Sequence, residues 1–352
     1  MQENLKNQFV GRMFVSPAFD YTLIGGAWSL VVFGLFIVSP LRPESFEPAT
    51  IWTVVLFANS AHFAASTVRL YSKPAFMREF SFLSFGFPLV TIAVLALCVI
   101  LPGKLGMYLQ ALYLAWSPFH YAKQTYGLSL MYTFRSGVKP DDSQKRLVYW
   151  VCMMPFLFVT SKNLYAWTGW LLTPEVANSI PGLHEWSQFA ASIFLVLTFA
   201  GPIFLFGRIW REKGQILPLM VPVLIVSNGI WWTFLEFMQA FVVATVAHSV
   251  QYLAIMLVYH VREKLREPAS SRGWVYHAAS FYGKCLVLGY LLFNCWPYIF
   301  VWFGASYAES ALLVAATINI HHFIVDAYIW RLRVPANQVA LREAGTAASS
   351  QA

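Results

Sequence analysis

Charge is what this chain has least of. Asp, Glu, Lys and Arg make up 11% of its residues, where soluble domains carry about 25%. Hydrophobic residues reach 58%, against a usual share of about 45–50%. No soluble core absorbs that excess, so an ordinary soluble globular fold is excluded. Cysteine is scarce as well. Cys98, Cys152, Cys285 and Cys295 all sit in apolar segments with no CxxC spacing, which argues against both a disulfide framework and a thiolate zinc motif. They read as small packing residues. The N-terminus, MQENLKNQFVGRMF, lacks the apolar stretch of a signal peptide, so the first apolar segment is expected to remain as a true span. No internal repeat is visible and the histidines follow no fixed period, which counts against a transporter built from inverted repeats.

The formal charge of +8 does not point to nucleic acid. The basic residues are spread over short loops beside apolar runs instead of being gathered on one element. Topology and anionic lipid account for them more simply.

What the chain has in abundance is apolar runs of about 20 residues, the length that crosses a bilayer. Read against charge and Pro/Gly punctuation, they predict about ten helices, near 20–39, 49–69, 80–101, 106–132, 146–161, 187–207, 216–236, 238–260, 279–303 and 310–330. The expected fold class is an all-α, polytopic transmembrane helical bundle. A cytoplasmic N-terminal segment, 1–19, precedes a transmembrane domain, 20–333, and a disordered cytoplasmic tail, 334–352, follows it.

Alternate loops differ sharply in basic residues. One set holds Lys6 and Arg12; Arg69, Lys73 and Arg78; Arg135, Lys139, Lys145 and Arg146; Arg208, Arg211 and Lys213; Arg262, Lys264, Arg266 and Arg272; and Arg331, Arg333 and Arg342. The other holds only Arg42, Lys104 and Lys162, while Lys123 and Lys284 fall within spans. This bias places both termini in the cytoplasm. The longest outer loop, 162–186, carries Trp167, Trp170 and Trp186, as suits a segment lying at the outer interface.

Six histidines lie inside or at the ends of the apolar runs: His62, His120, His248, His260, His321 and His322. An ionisable group in hydrocarbon is costly and persists with a partner and a task. For imidazole the usual partner is a metal. At about 1.5 Å per residue, His62 lies roughly 10 Å from its inner loop, His322 roughly 13 Å, and His248 and His120 roughly 21–22 Å. Four helices therefore aim histidines at the same half of the membrane. Gln124 follows His120 by four residues, Gln251 follows His248 by three, and Asp326 follows His322 by four, so each shares a helix face with its histidine. Such groups orient ligating imidazoles or ligate themselves. Asn59 and Asn319 each precede a histidine by three residues. The candidate metal ligands are His62, His120, His248, His321 and His322. Asp326 and Gln124 are the candidate catalytic residues, and Gln251 and Asn319 the candidate cofactor-binding ones. Adjacent His321 and His322 point about 100° apart, so both serve only a broad or binuclear centre. His260 is expected to be wet, and Glu236 to cap the turn into the next helix.

Three strings, WSPFHYAKQTYGLSLM at 116–131, HSVQYL at 248–253 and NIHHFIVDAYIWRLR at 319–333, resemble motifs of a group of bacterial polytopic membrane proteins. The resemblance implies a multi-pass protein of the bacterial inner (cytoplasmic) membrane and singles out the motif residues without implying a reaction. Membrane fatty acid desaturases and hydroxylases are similar in general plan only, since their HxxxH and HxxHH boxes are missing apart from the bare HH pair. Bacterial carotene-cleaving membrane oxygenases, with single histidines on several helices around one iron, are similar in layout but not in local motifs.

Three functions remain open. The first is a metal-dependent oxidoreductase of the oxygenase, hydroxylase or desaturase type, with non-haem iron favoured over copper by the carboxylate among the ligands. Its partners would be the lipid bilayer, a hydrophobic small-molecule substrate and an electron-donor protein. The second is a haem b protein with axial histidines. The third is a proton-coupled transporter or proton relay, in which Lys123 and Glu236 join the path.

Overall fold

The computed structural model describes residues 9–38, 53–72, 74–267 and 272–329. Among them there is no strand. In chain order the helices are α1 (Pro17–Ile24), α2 (Ala27–Val38), α3 (Val55–Ser60 continuing as Ala61–Tyr71), α4 (Pro74–Glu79), α5 (Phe82–Ile100), α6 (Met107–Arg135) and α7 (Asp142–Lys162). They continue with the short α8 (Leu164–Thr168) and α9 (Pro174–Ser179), then α10 (Leu183–Lys213), α11 (Met220–Phe234), α12 (Phe237–Arg266), α13 (Trp274–Trp302) and α14 (Tyr307–Ile329). The expected tail, 334–352, and the first residues of the second expected span lie outside the described residues.

Five helices, α5, α10, α12, α13 and α14, are long and apolar enough to cross a membrane, or six if the bent pair α1–α2 is one span. The other expected spans are helical too, but α11 has only 15 residues. α6, at 29 residues, buries Ser117, Thr125, Ser129, Thr133 and Arg135, which lowers its apolarity. Polarity is thus sorted inside out. The most apolar stretches of α5, α10 and α13 are only 22%, 22% and 17% buried, whereas those of α12 and α14 are 67% and 61% buried. The outer helices expose apolar side chains, and the polar residues gather on the inner ones, α3, α6, α12 and α14.

Local chemistry sets the helix ends. α7 starts at a capping box, in which Asp141 accepts from the Gln144 amide while the Gln144 side chain accepts from the Asp141 amide. Pro118 lies inside α6 without ending it. α1 and α2 meet at 62°, with Gly26 at φ +73, a conformation that favours glycine. Residues 10–15, just before α1, pack against the bundle. Phe14 is buried, with the Arg135 guanidinium 3.8 Å from its ring centroid and that of Arg262 at 5.6 Å. Buried Asp20 accepts from the Phe14 and Val15 amides and from the Tyr132 hydroxyl. In the loop 162–186, which folds into α8 and α9, Trp167 and Trp170 are exposed, as is Trp186 at the start of α10.

α13 touches α3 at Gly289. A Cβ on that glycine would stand 2.7 Å from the backbone of Ser60, two residues before His62. Gly289→Val is therefore expected to lower stability by about 1–3 kcal/mol through overpacking. Gly34→Ala, where a Cβ meets nothing within 4 Å, serves as control. Thermal unfolding in detergent reads both, and equal midpoints would show that α13 does not bear on α3.

Candidate metal centre

α3, α6, α12 and α14 bring His62, His120, His248 and His322 together. One ring nitrogen from each lies within 4.8 Å of the others. The imidazoles form a closed circuit, with ring centroids 4.8 Å apart for His62–His248, 4.9 Å for His248–His120, 5.2 Å for His120–His322 and 4.4 Å for His322–His62. His62, His248 and His322 are buried, and the His120 side chain is 11% exposed. Phe63 lies against His62 and His322, Phe323 stacks on His120, and Tyr121 covers His248. This aromatic collar leaves the nitrogens little water.

Among the described residues these nitrogens have no hydrogen-bond partner: Nε2 of His62, His120 and His322, and both nitrogens of His248. A buried polar atom without a partner costs about 1–3 kcal/mol, so several meeting at one point call for a cation. A metal–imidazole bond of about 2.0–2.1 Å sets nitrogens on opposite sides of an ion about 4.2 Å apart. A spread within 4.8 Å needs only a small contraction to reach that. The residues fit a metal ion.

The outer nitrogens are held. Ser249 Oγ, which gives its one proton to the Thr245 carbonyl or the Asn59 amide oxygen, lies 3.2 Å from His62 Nδ1. It therefore accepts from Nδ1–H and leaves Nε2 bare. Ser66 does the same for His322, with Oγ 2.8 Å from Nδ1 while donating to Asp326 Oδ1 at 2.6 Å. Tyr252 donates to the same Oδ1 at 2.7 Å. With Oδ1 engaged twice, Asp326 turns Oδ2 toward the histidines, 3.3 Å from His322 Nε2 and 4.0 Å from His120 Nε2. The carboxylate is a fifth donor in reach of the four nitrogens.

The other expected site residues lie elsewhere. His321, read as a ligand, is not brought into the group: 100° around α14, its ring stacks on Phe87 at 4.9 Å. Gln124 does not reach a ring nitrogen and donates to the His248 backbone carbonyl at 3.3 Å. Gln251 points away from His248 toward the α1–α2 bend, where a Cβ on Gly26 would stand 2.6 Å from its Nε2. Asn319 donates to the Ala315 carbonyl, and its Oδ1 is buried without a partner. His260 stacks on Phe281, is partly exposed and stands outside the group. Glu236 occupies the N-cap position of α12 without a side-chain capping bond. Lys123 is exposed, over the rings of Tyr126 and Tyr149.

Ser66, Tyr252 and Ser249 were not anticipated. The signal for two of them was available: Ser66 follows His62, and Tyr252 follows His248, by the same four residues that separate His322 from Asp326. One helical turn below the histidine layer lies a layer of their oxygen partners.

No protein-family model, curated protein or solved structure matches this chain. Its chemistry is carried by the atoms of the site.

Proposed function

We propose that this chain is an integral membrane metal-dependent oxidoreductase, with non-haem iron held by His62, His120, His248, His322 and Asp326 Oδ2, acting on a lipidic substrate. The observation that carries this reading is the convergence of bare, buried imidazole nitrogens beside one carboxylate. Imidazole suits iron, copper and zinc alike, and the carboxylate among the donors tilts the set toward iron. The iron would supply one-electron and oxygen chemistry that side chains alone lack. Ser249 and Ser66 keep His62 and His322 in the tautomer that presents Nε2, Tyr252 with Ser66 aims the carboxylate, and the aromatic collar excludes water. A site enclosed by apolar helices is reached more readily by a hydrophobic molecule from the bilayer than by a polar one from water.

Haem b fits the geometry less well. Two axial imidazoles hold the macrocycle between them, and here the other two imidazoles stand in the space it would fill. The relay is weakened by Lys123, which turns outward over aromatic rings. Protein purified from iron-supplemented cells and analysed for metal, with an optical spectrum, tests all three. About one iron per chain without a Soret band is expected. A Soret band assigns haem, and absence of any metal leaves the relay.

We also propose ten crossings with both termini cytoplasmic, on the strength of the loop charges. Reporter fusions at residues 140 and 175 are expected to report opposite sides of the membrane, and the same side for both would overturn the topology.

A further inference from the structure

Away from the histidines, α3 and α13 diverge on one side of the Gly289 contact and leave a groove of about 620 Å³ on the outer surface of the bundle. Its walls are apolar, made by Val68 and Tyr71 of α3 and by Val287 and Leu291 of α13, with Thr67 at the side. Gly283 opens the floor, because a Cβ there would meet nothing within 4 Å. One charged side chain lines it, Lys284. This lysine is exposed, lies within a helix apolar enough to span a membrane, and has no ion-pair partner among the described residues.

A lysine in that position reaches for the headgroup level and for an anion. Lys284 is roughly 15 Å along the helix from Trp274, in the half of α13 nearer in the chain to Lys264, Arg266 and Arg272. Lys264 and Lys284 both act electrostatically on the imidazole of His260, and of the two only Lys284 lines the groove. Positive charge at the rim and an apolar trough beneath it match a phosphate above an acyl chain.

We propose that this groove holds an anionic phospholipid from the leaflet adjoining those basic residues, its phosphate on Lys284 and one acyl chain between Val68 and Leu291. The site stands independently of what the histidines bind, since Thr67, about 100° around α3 from Ser66, faces the groove while Ser66 faces His322.

Purified full-length protein in mild detergent is incubated with vesicles of phosphatidylglycerol or of phosphatidylcholine with the same acyl chains, repurified, and analysed for phosphate and iron per chain. Wild type is expected to retain phosphatidylglycerol at least about fivefold better, the contribution of one lysine near an anionic headgroup. Lys284→Gln is expected to lose that preference while keeping wild-type iron, and Gly283→Leu, which fills the trough, to lose both lipids. Equal retention of the two lipids by wild type, or an unchanged preference in Lys284→Gln, overturns the proposal. So does displacement of the bound phosphatidylglycerol by equimolar oleate, which would assign the groove to a free fatty acid.

Discussion

Replacing His322 with alanine is expected to lower metal affinity by about 100-fold or more, at or above the top of the range for losing a residue that merely supports a ligand. His322 is the residue most entangled in the site. Its ring contacts those of His62 and His120, its Nδ1 is held by Ser66, and its Nε2 is bare. The control is its neighbour. His321→Ala alters the adjacent residue of the same helix, but that ring stacks on Phe87, so full metal content is expected. Iron per chain, measured after competition with a chelator in both variants and wild type, decides the matter. Undiminished iron in His322→Ala, or an equal loss in His321→Ala, would remove the four-histidine centre.

Asp326→Asn is the second large effect. The carboxylate lies in a buried pocket, with Ser66 and Tyr252 donating to Oδ1 and Oδ2 facing His322 and His120. An amide keeps the acceptor for the two hydroxyls, so the variant should fold. It removes the negative charge beside the four imidazoles and turns an N–H toward them where an oxygen stood. Metal affinity is expected to fall about 10–100-fold, with Ser66→Ala falling less because Tyr252 still holds the carboxylate. If Asp326→Asn binds iron as wild type does but has lost proton movement across vesicles, the proton-relay reading is the better one.

Much of the site was readable from the chain because burying an imidazole in hydrocarbon leaves a visible mark. His62, His120, His248 and His322 stand out as polar residues in apolar runs, and the four helices that carry them are the ones that meet. Their depths were not readable in the same way. Distance from the inner loops separates His62 at roughly 10 Å from His120 and His248 at roughly 21–22 Å, yet the rings touch. Contour along a helix is not depth: α6 and α12 run on to Arg135 and Arg266, and there Arg135 and Arg262 clamp Phe14. Shared helix faces misled in a similar way. Gln124 and Gln251 lie near their histidines along the helix, but one is drawn to a backbone carbonyl and the other to the bend at Gly26.

Composition and the spacing of apolar runs alone determined that this is an all-helical protein with membrane-like helices, because apolarity over about 20 residues is a property of a segment taken by itself. Chemistry along the chain also determined that His62, His120, His248 and His322 belong inside. Which of His321 and His322 joins the centre, which oxygen of Asp326 faces it, and that Ser66, Ser249 and Tyr252 hold it were decided only by tertiary structure. Each depends on the rotation of one helix about its axis relative to three others, and that rotation is set by packing between segments distant in sequence.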